Sequence, residues 1–205
     1  MTISLSDAGK RFNRDWIFRH ASYQFDSGNS YAITGPNGSG KSTLLQVLSG
    51  ATLLNEGRIL FSENGLPCRE EDIHRKVSIC APYLELVEEM TLMEFLRFHL
   101  GFKSFLPGIT PNLIISAVGL EKAVNKQLRY YSSGMKQRVK LAQCIFSDTD
   151  ILLLDEPCTN LDKAGIDLYK ELMEQYGKKR LVVVSSNDHQ EYDFCDHTLN
   201  ITDWK

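Results

Sequence analysis

Gly35-Pro36-Asn37-Gly38-Ser39-Gly40-Lys41-Ser42-Thr43 fits the pattern G-x-x-x-x-G-K-[ST] without a substitution. Ahead of it, Tyr31-Ala32-Ile33-Thr34 is a short apolar run that reads as a strand. Behind it, Leu44, Leu45, Val47 and Leu48 supply an apolar helical face that Gly50 can stop. Strand, glycine-rich loop and helix in that order are the setting a phosphate loop requires. Glycines at 35, 38 and 40 let successive N–H groups turn inward toward phosphate oxygens. The helix that begins near Lys41 adds its positive N-terminal end. In this pattern Lys41 reaches the β- and γ-phosphates, and Ser42 offers a hydroxyl to Mg²⁺. A merely structural turn would not explain why pattern and flanks agree, so the stretch predicts a nucleoside triphosphate site.

A second constellation lies downstream. Ile151-Leu152-Leu153-Leu154-Asp155-Glu156-Pro157 is an apolar strand ending in two carboxylates. In an open α/β sheet the ligand sits beyond the carboxyl ends of the strands, which would set Asp155 against the Mg²⁺ held by Ser42. Glu156 would point elsewhere and could polarise an attacking water, giving one metal ligand and one base.

The remaining elements agree with that architecture. Ile3 and Leu5, then Ile17-Phe18, then Ala21–Phe25, read as strands before the loop. Arg58–Phe61 and Val77–Cys80 read as strands after it, with Glu63–Arg75 between them read as loop. Thr91 is placed to cap a helix, with Glu94 completing a capping box. Gly101, Pro107, Gly108 and Pro111 interrupt the pattern before Leu113–Leu120 resumes it. Residues 84–135 are therefore expected to form a helical insertion. Helices are predicted over 132–146 and Lys163–Tyr176, the first with Met135, Val139, Ala142 and Phe146 on one face. Ile151–Leu154 and Leu181–Ser185 are too apolar for a one-sided sheet and suit parallel strands covered on both faces. The expected fold is α/β, a phosphate-loop core in one domain spanning residues 1–205.

Composition narrows the class. A chain of 205 residues with 42% hydrophobic content can bury a core, and a net charge of −3 argues against coating nucleic acid. No apolar run approaches the roughly 20 residues of a membrane span, and residues 1–7 lack the pattern of a signal peptide. The five cysteines are scattered without C-x-x-C spacing, which favours reduced thiols in a cytoplasmic protein.

Tyr131-Ser132-Ser133-Gly134-Met135-Lys136-Gln137-Arg138 and Asn160-Leu161-Asp162 complete a resemblance to the ATP-binding-cassette (ABC) ATPases over almost the whole chain. The first segment lies where that family carries its L-S-G-G-Q signature, and Asp162 resembles the aspartate of its D-loop. The resemblance implies a phosphate-loop core with an antiparallel β subdomain and a small helical insertion. It also implies ATP and Mg²⁺ as cofactors and ATP hydrolysis with Glu156 and Lys41 as catalytic groups. Two such domains would pack head to tail, as a homodimer or with a similar subunit. Ser132, Ser133 and Gly134 of one would then face the γ-phosphate held by the other. Phe12 lies near the place of the family's adenine-stacking aromatic, with Trp16 as the other candidate and a core aromatic as the plain reading of Phe12.

Several residues depart from the family pattern. Ser133 and Met135 replace signature residues, Pro82 falls at the position of a glutamine that contacts Mg²⁺ and water, and Asn187 stands at the switch histidine. His189, two residues late, reads either as a displaced switch or as a surface residue. These replacements predict slow hydrolysis.

The leading expectation is the ATPase subunit of a transporter, peripheral to the inner face of the cell membrane through a separate permease. Minimal export-type subunits such as those of haem exporters are the nearest analogy. Contact with the permease is expected around 81–89, where Glu88 and Glu89 would either meet a basic element or remain solvated. The alternative is a soluble ABC-type ATPase or slow nucleotide switch without a permease.

Overall fold

Parallel strands covered on both faces need near-continuous apolar sequence, and two segments supply it. Every residue of β7 (Ile151–Asp155) and of β8 (Leu181–Ser185) is buried. The computed structural model describes all residues 1–205 and divides them into two units.

The first unit holds residues 1–79, 149–155 and 178–205. It contains β1 (Thr2–Phe12), β2 (Asp15–Asp26), β3 (Ser30–Thr34), β4 (Glu56–Glu63), β5 (Leu66–Pro67) and the greater part of β6 (Val77–Cys80). β9 (His197–Asn200) closes the series. An antiparallel sheet of four strands has the order β2-β1-β4-β5, and a sheet of five has the order β6-β7-β8-β3-β9. In the second sheet β7 pairs β8, β8 pairs β3 and β3 pairs β9, all parallel. Helix α1 (Lys41–Leu48) packs on β7 and β8 with Leu44, Leu45, Val47 and Leu48 wholly buried. Phe18, Phe25, Ile33 and Ile201 join the same apolar core. The α/β fold read from the sequence is thus present, with a parallel core sheet and an antiparallel β subdomain.

Three local readings need correction. Residues 63–75 are not loop throughout, because α2 (Glu70–Lys76) lies there. It buries only Ile73 and so shows no apolar periodicity. Its acidic first turn (Glu70, Glu71, Asp72) and basic last turn (His74, Arg75, Lys76) match the helix dipole instead. The two strands expected at 17–18 and 21–25 are one strand, β2, which continues through His20 in the left-handed region (φ 56°). Pro111 does not break a helix. It opens α4 (Pro111–Ala117), where a missing N–H carries no penalty, and Thr110 caps that helix through Leu113 N–H.

The second unit holds residues 80–148 and 156–177, so the stretch 84–135 falls within it. Helix α3 (Leu92–Leu100) begins with the predicted capping box, Thr91 and Glu94 satisfying each other's backbone N–H groups. Helices α5 (Ser133–Phe146) and α6 (Lys163–Tyr176) pack together, burying Val139, Ala142 and Phe146 of one and Tyr169, Leu172 and Met173 of the other. Met135 is only half-buried.

Candidate functional site

β3 delivers the chain into the loop at Gly35, and α1 receives it at Lys41. Between them Gly35, Gly38 and Gly40 take φ of 142°, 76° and 106°. Side chains are also excluded sterically at two of these positions. A Cβ on Gly35 would stand 2.8 Å from Ile201 Cγ2, and one on Gly40 would stand 2.1 Å from Ile17 Cγ2. Lys41 is buried, and its ammonium lies inside the loop, donating to the carbonyls of Gly35 (2.8 Å) and Pro36 (3.4 Å). Ser39 N–H closes the turn on Pro36 O at 3.0 Å, while its hydroxyl is buried without a hydrogen-bond partner. Ser42 is exposed and Thr43 half-buried.

Strand register brings further predicted residues to the same edge of the parallel sheet. Asp155, 2% exposed, lies opposite Ser185, and Ser185 lies opposite Ile33, two residues before Gly35. The Ser185 hydroxyl is buried without a partner. Two residues on, the exposed Asn187 accepts from Gly35 N–H at 3.1 Å and donates to Asn37 Oδ1 at 3.2 Å. His189 is exposed on a short 3-10 turn with its ring 5.2 Å from that of Tyr192.

Phe12 ends β1 at 49% exposure with the Lys10 ammonium 5.0 Å from its ring, so it is not a core residue. Trp16 is half-buried, with the Arg19 and Arg11 guanidinium carbons 4.5 Å and 5.5 Å from its ring. Each ring thus already carries cations of its own chain, one on Phe12 and two on Trp16. Ile17, whose side chain walls the loop at Gly40, carries no motif, and the sequence shows it only as part of a strand.

In the second unit Glu156 directly follows Asp155 and is held in the left-handed region at φ 44°. Ser132 caps α5, its hydroxyl accepting from Met135 N–H at 3.3 Å, and both Ser132 and Ser133 are exposed. Gly134 packs so tightly that a Cβ there would lie 2.9 Å from Asn160 O. Asp162 caps α6 by accepting from Gly165 N–H at 2.8 Å and also takes Arg138 at 3.3 Å. Those two contacts, the N–H first, hold its carboxyl below the ordinary aspartate range. Ser132, Ser133, Gly134, Arg138, Asn160 and Asp162 line one cavity of about 410 Å³. The helix start of α5 opens there, which suits an anion.

A neighbouring cavity of about 540 Å³ is lined by Pro82, Glu85, Glu88, Lys136 and Lys140 among others. Pro82, read at the position of the family's glutamine, has no amide side chain, and its carbonyl accepts from Lys140 at 2.9 Å. Glu88 is paired with Lys136 and Glu89 with Arg129. Glu88 and Glu89, read as meeting a basic element or remaining solvated, each have a cation of the same chain alongside. Buried Gln137 donates to Pro157 O at 2.7 Å, fixing the turn beyond Glu156.

Comparison with known proteins agrees with this geometry. The family described as ABC transporter matches residues 18–159. An uncharacterised ABC transporter ATP-binding protein of Bacillus subtilis, YybJ, is 32% identical over 97% of this chain and 92% of its own. The cytochrome c biogenesis ATP-binding export protein CcmA of Agrobacterium fabrum is 30% identical over 91% of this chain and 89% of its own. Among solved structures, a putative ABC transporter ATP-binding protein of Pyrococcus furiosus superposes over the whole of both chains with a TM-score of 0.83 at 22% identity. A dimeric ATP-binding cassette holding ADP and Pi shares the fold with a TM-score of 0.81 at 21% identity, over 97% of this chain and 93% of its own. The chain belongs to the ABC transporter family, as one of its ATP-binding ATPase subunits.

Proposed function

We propose that residues 1–205 act as one nucleotide-binding domain that hydrolyses ATP to drive a separate membrane permease. The observation that carries this reading is the phosphate loop, with the Lys41 ammonium drawn onto the Gly35 and Pro36 carbonyls beside the unpartnered Ser39 hydroxyl. A triphosphate would replace those carbonyls as the partner of Lys41, and the loop N–H groups of 38–43 would take its oxygens. Phe12 would stack on the adenine.

Mg²⁺ fits the donor set: an exposed hydroxyl at Ser42, a carboxylate at Asp155 and the unpartnered Ser185 hydroxyl are hard oxygens. Ser42 and Asp155 would hold it, and when bound it would neutralise charge developing on the β- and γ-phosphates. Glu156 would take a proton from water as the water oxygen bonds to the γ-phosphorus and the bond to the β-bridging oxygen breaks, leaving ADP and phosphate. Pro82 and the uncharged Asn187 make this slow.

The helix start at Ser132–Gly134, with Ser132 and Ser133 exposed, opens on a cavity with room for a ligand from another chain. A second cassette packed head to tail would supply it, as a homodimer or a heterodimer, with Asp162 lining the same face. No helix of the chain is long and apolar enough to cross a membrane, so the route for cargo would belong to another protein at the inner membrane face. The groove at Pro82, Glu85 and Lys140 would receive it. The likeness to an export protein favours export. Pro82 and Asn187 support a second reading, a slow ATP-dependent switch without a permease.

A pull-down separates the two. Tagged Glu156→Gln with MgATP, used as bait in detergent-solubilised native membranes, is expected to recover a multi-spanning protein. Recovery of soluble partners alone would overturn the transporter reading.

A further inference from the structure

The bond between Asn187 and the phosphate loop joins groups 152 and 150 residues apart in sequence. Its orientation is determined by chemistry. The Gly35 N–H can meet only the carboxamide oxygen, which leaves the Asn187 Nδ2 facing Asn37 Oδ1. One side chain thus accepts from the first residue of the loop and donates to the third. β8, which ends two residues before Asn187, is buried throughout and pairs β3 in register from Ser30↔Val182 to Ile33↔Ser185. Ser186 N–H extends that ladder by donating to Ile33 O at 3.2 Å.

The loop needs such a tie. Glycines at 35, 38 and 40 all sit at positive φ, and a glycine-rich segment has more conformational freedom to lose on ordering than any other. Within the loop itself, the restraints are Ser39 N–H on Pro36 O and the Lys41 ammonium on two carbonyls, which a triphosphate would withdraw. Asn187 restrains the loop from outside, through groups a ligand need not displace.

We propose that Asn187 is a positioning residue for nucleotide binding, its carboxamide clamping Gly35 to Asn37 so that the phosphate loop is ordered before ATP arrives. Its contribution falls on affinity and not on the chemical step. The proposal rests on the reading of residues 35–43 as the triphosphate site, and its test separates the two.

Affinity for a fluorescent ATP analogue with Mg²⁺, and single-turnover hydrolysis of pre-bound ATP, would be measured on the full chain. The variants are Asn187→Ala, Asn37→Ala, their double and Lys41→Ala, each first shown to unfold in urea at the wild-type midpoint. Two hydrogen bonds at an exposed site correspond to a loss of about three- to tenfold. Asn187→Ala is expected to raise Kd by that factor while single-turnover rate stays within about twofold. Asn37→Ala should weaken binding too, and adding it to Asn187→Ala should change nothing further, as shared partners require. If Asn187→Ala binds like wild type while Lys41→Ala fails to bind, the clamp is refuted and the site stands. A loss confined to the single-turnover rate refutes it equally. Wild-type affinity in Lys41→Ala would overturn the site and the clamp together.

Discussion

Replacing Gly40 with alanine tests whether the wall at Ile17 shapes the phosphate loop. The new Cβ would stand 2.1 Å from Ile17 Cγ2, far inside the roughly 3.5–4.0 Å of ordinary carbon contact. Ile17 is β-branched with few alternative rotamers, so it cannot swing aside freely. Overpacking of this kind costs about 1–3 kcal/mol. Backbone strain at φ 106° adds a similar amount, about 1–3 kcal/mol for a residue with a side chain. Gly40→Ala should therefore destabilise by roughly 2–6 kcal/mol. Ile17→Ala removes Cγ2 and leaves the Ile17 Cβ 3.6 Å away, an ordinary contact. Alone, at a half-buried site, it should cost about 1–2 kcal/mol. The double variant recovers the steric share but not the strain, so the cycle should show about 1–3 kcal/mol of favourable coupling. Urea unfolding of the four proteins measures this, and nucleotide titration of the folded forms should show weakened binding in Gly40→Ala that Ile17→Ala partly restores. Additive destabilisation within about 0.5 kcal/mol would refute the argument.

Three further outcomes are expected. Arg180 is buried, donating from Nε to Thr149 O at 2.6 Å and from Nη2 to Thr149 Oγ1, so Arg180→Met should lose roughly 2–4 kcal/mol in urea with an unchanged m-value; an unshifted midpoint would contradict it. His99 is 7% exposed, facing Ser147 Oγ at 2.8 Å and Gln143 Nε2 at 3.1 Å, and burial, with Lys103 second, pushes its pKa down to about 4. Because the folded value lies below the unfolded one, its contribution is fully present above about pH 6.5 and is lost as pH falls to about 4, some 3 kcal/mol at about 1.4 kcal/mol per pH unit. His99→Gln should flatten the stability profile between those limits, and an unaltered slope would exclude His99 as its source. Pro82→Gln should raise the ATPase rate by roughly fivefold or more, as a positioned amide would, and an unchanged steady-state rate would show that Pro82 does not limit turnover.

What the sequence disclosed, and what it withheld, follow a physical boundary between local and long-range information. The capping box of α3 needs only Thr91 and Glu94, three residues apart, and it forms as read. β7 and β8 carry their burial in their own composition. Helix α2 was hidden because its stabilisation is electrostatic, with a single buried residue, Ile73, and no apolar stripe. β9 was hidden for a related reason: His197–Asn200 is an exposed edge strand whose pairing with β3 carries no burial pattern of its own.

The same boundary runs through the site. Residues 35–43 announce themselves because a phosphate loop is one continuous motif, and Asp155 because it ends an apolar strand. Ile17, Ser185 and the Asn37–Asn187 bond arise only when separate strands come into register. Asn187 shows why that distinction matters for function. As a letter in the sequence it is a missing histidine, a loss of charge and proton transfer. In the fold it is a donor and an acceptor placed on two residues of the loop, which a neutral carboxamide does with both ends at once and an imidazole of one tautomer does in only one arrangement. On the reading proposed above, a carboxamide at this position gives up a titrating group and supplies a restraint on the loop. A cassette altered in this way would trade rate for nucleotide retention, which a slow subunit working beside a faster partner, or a switch that holds ATP, could use alike.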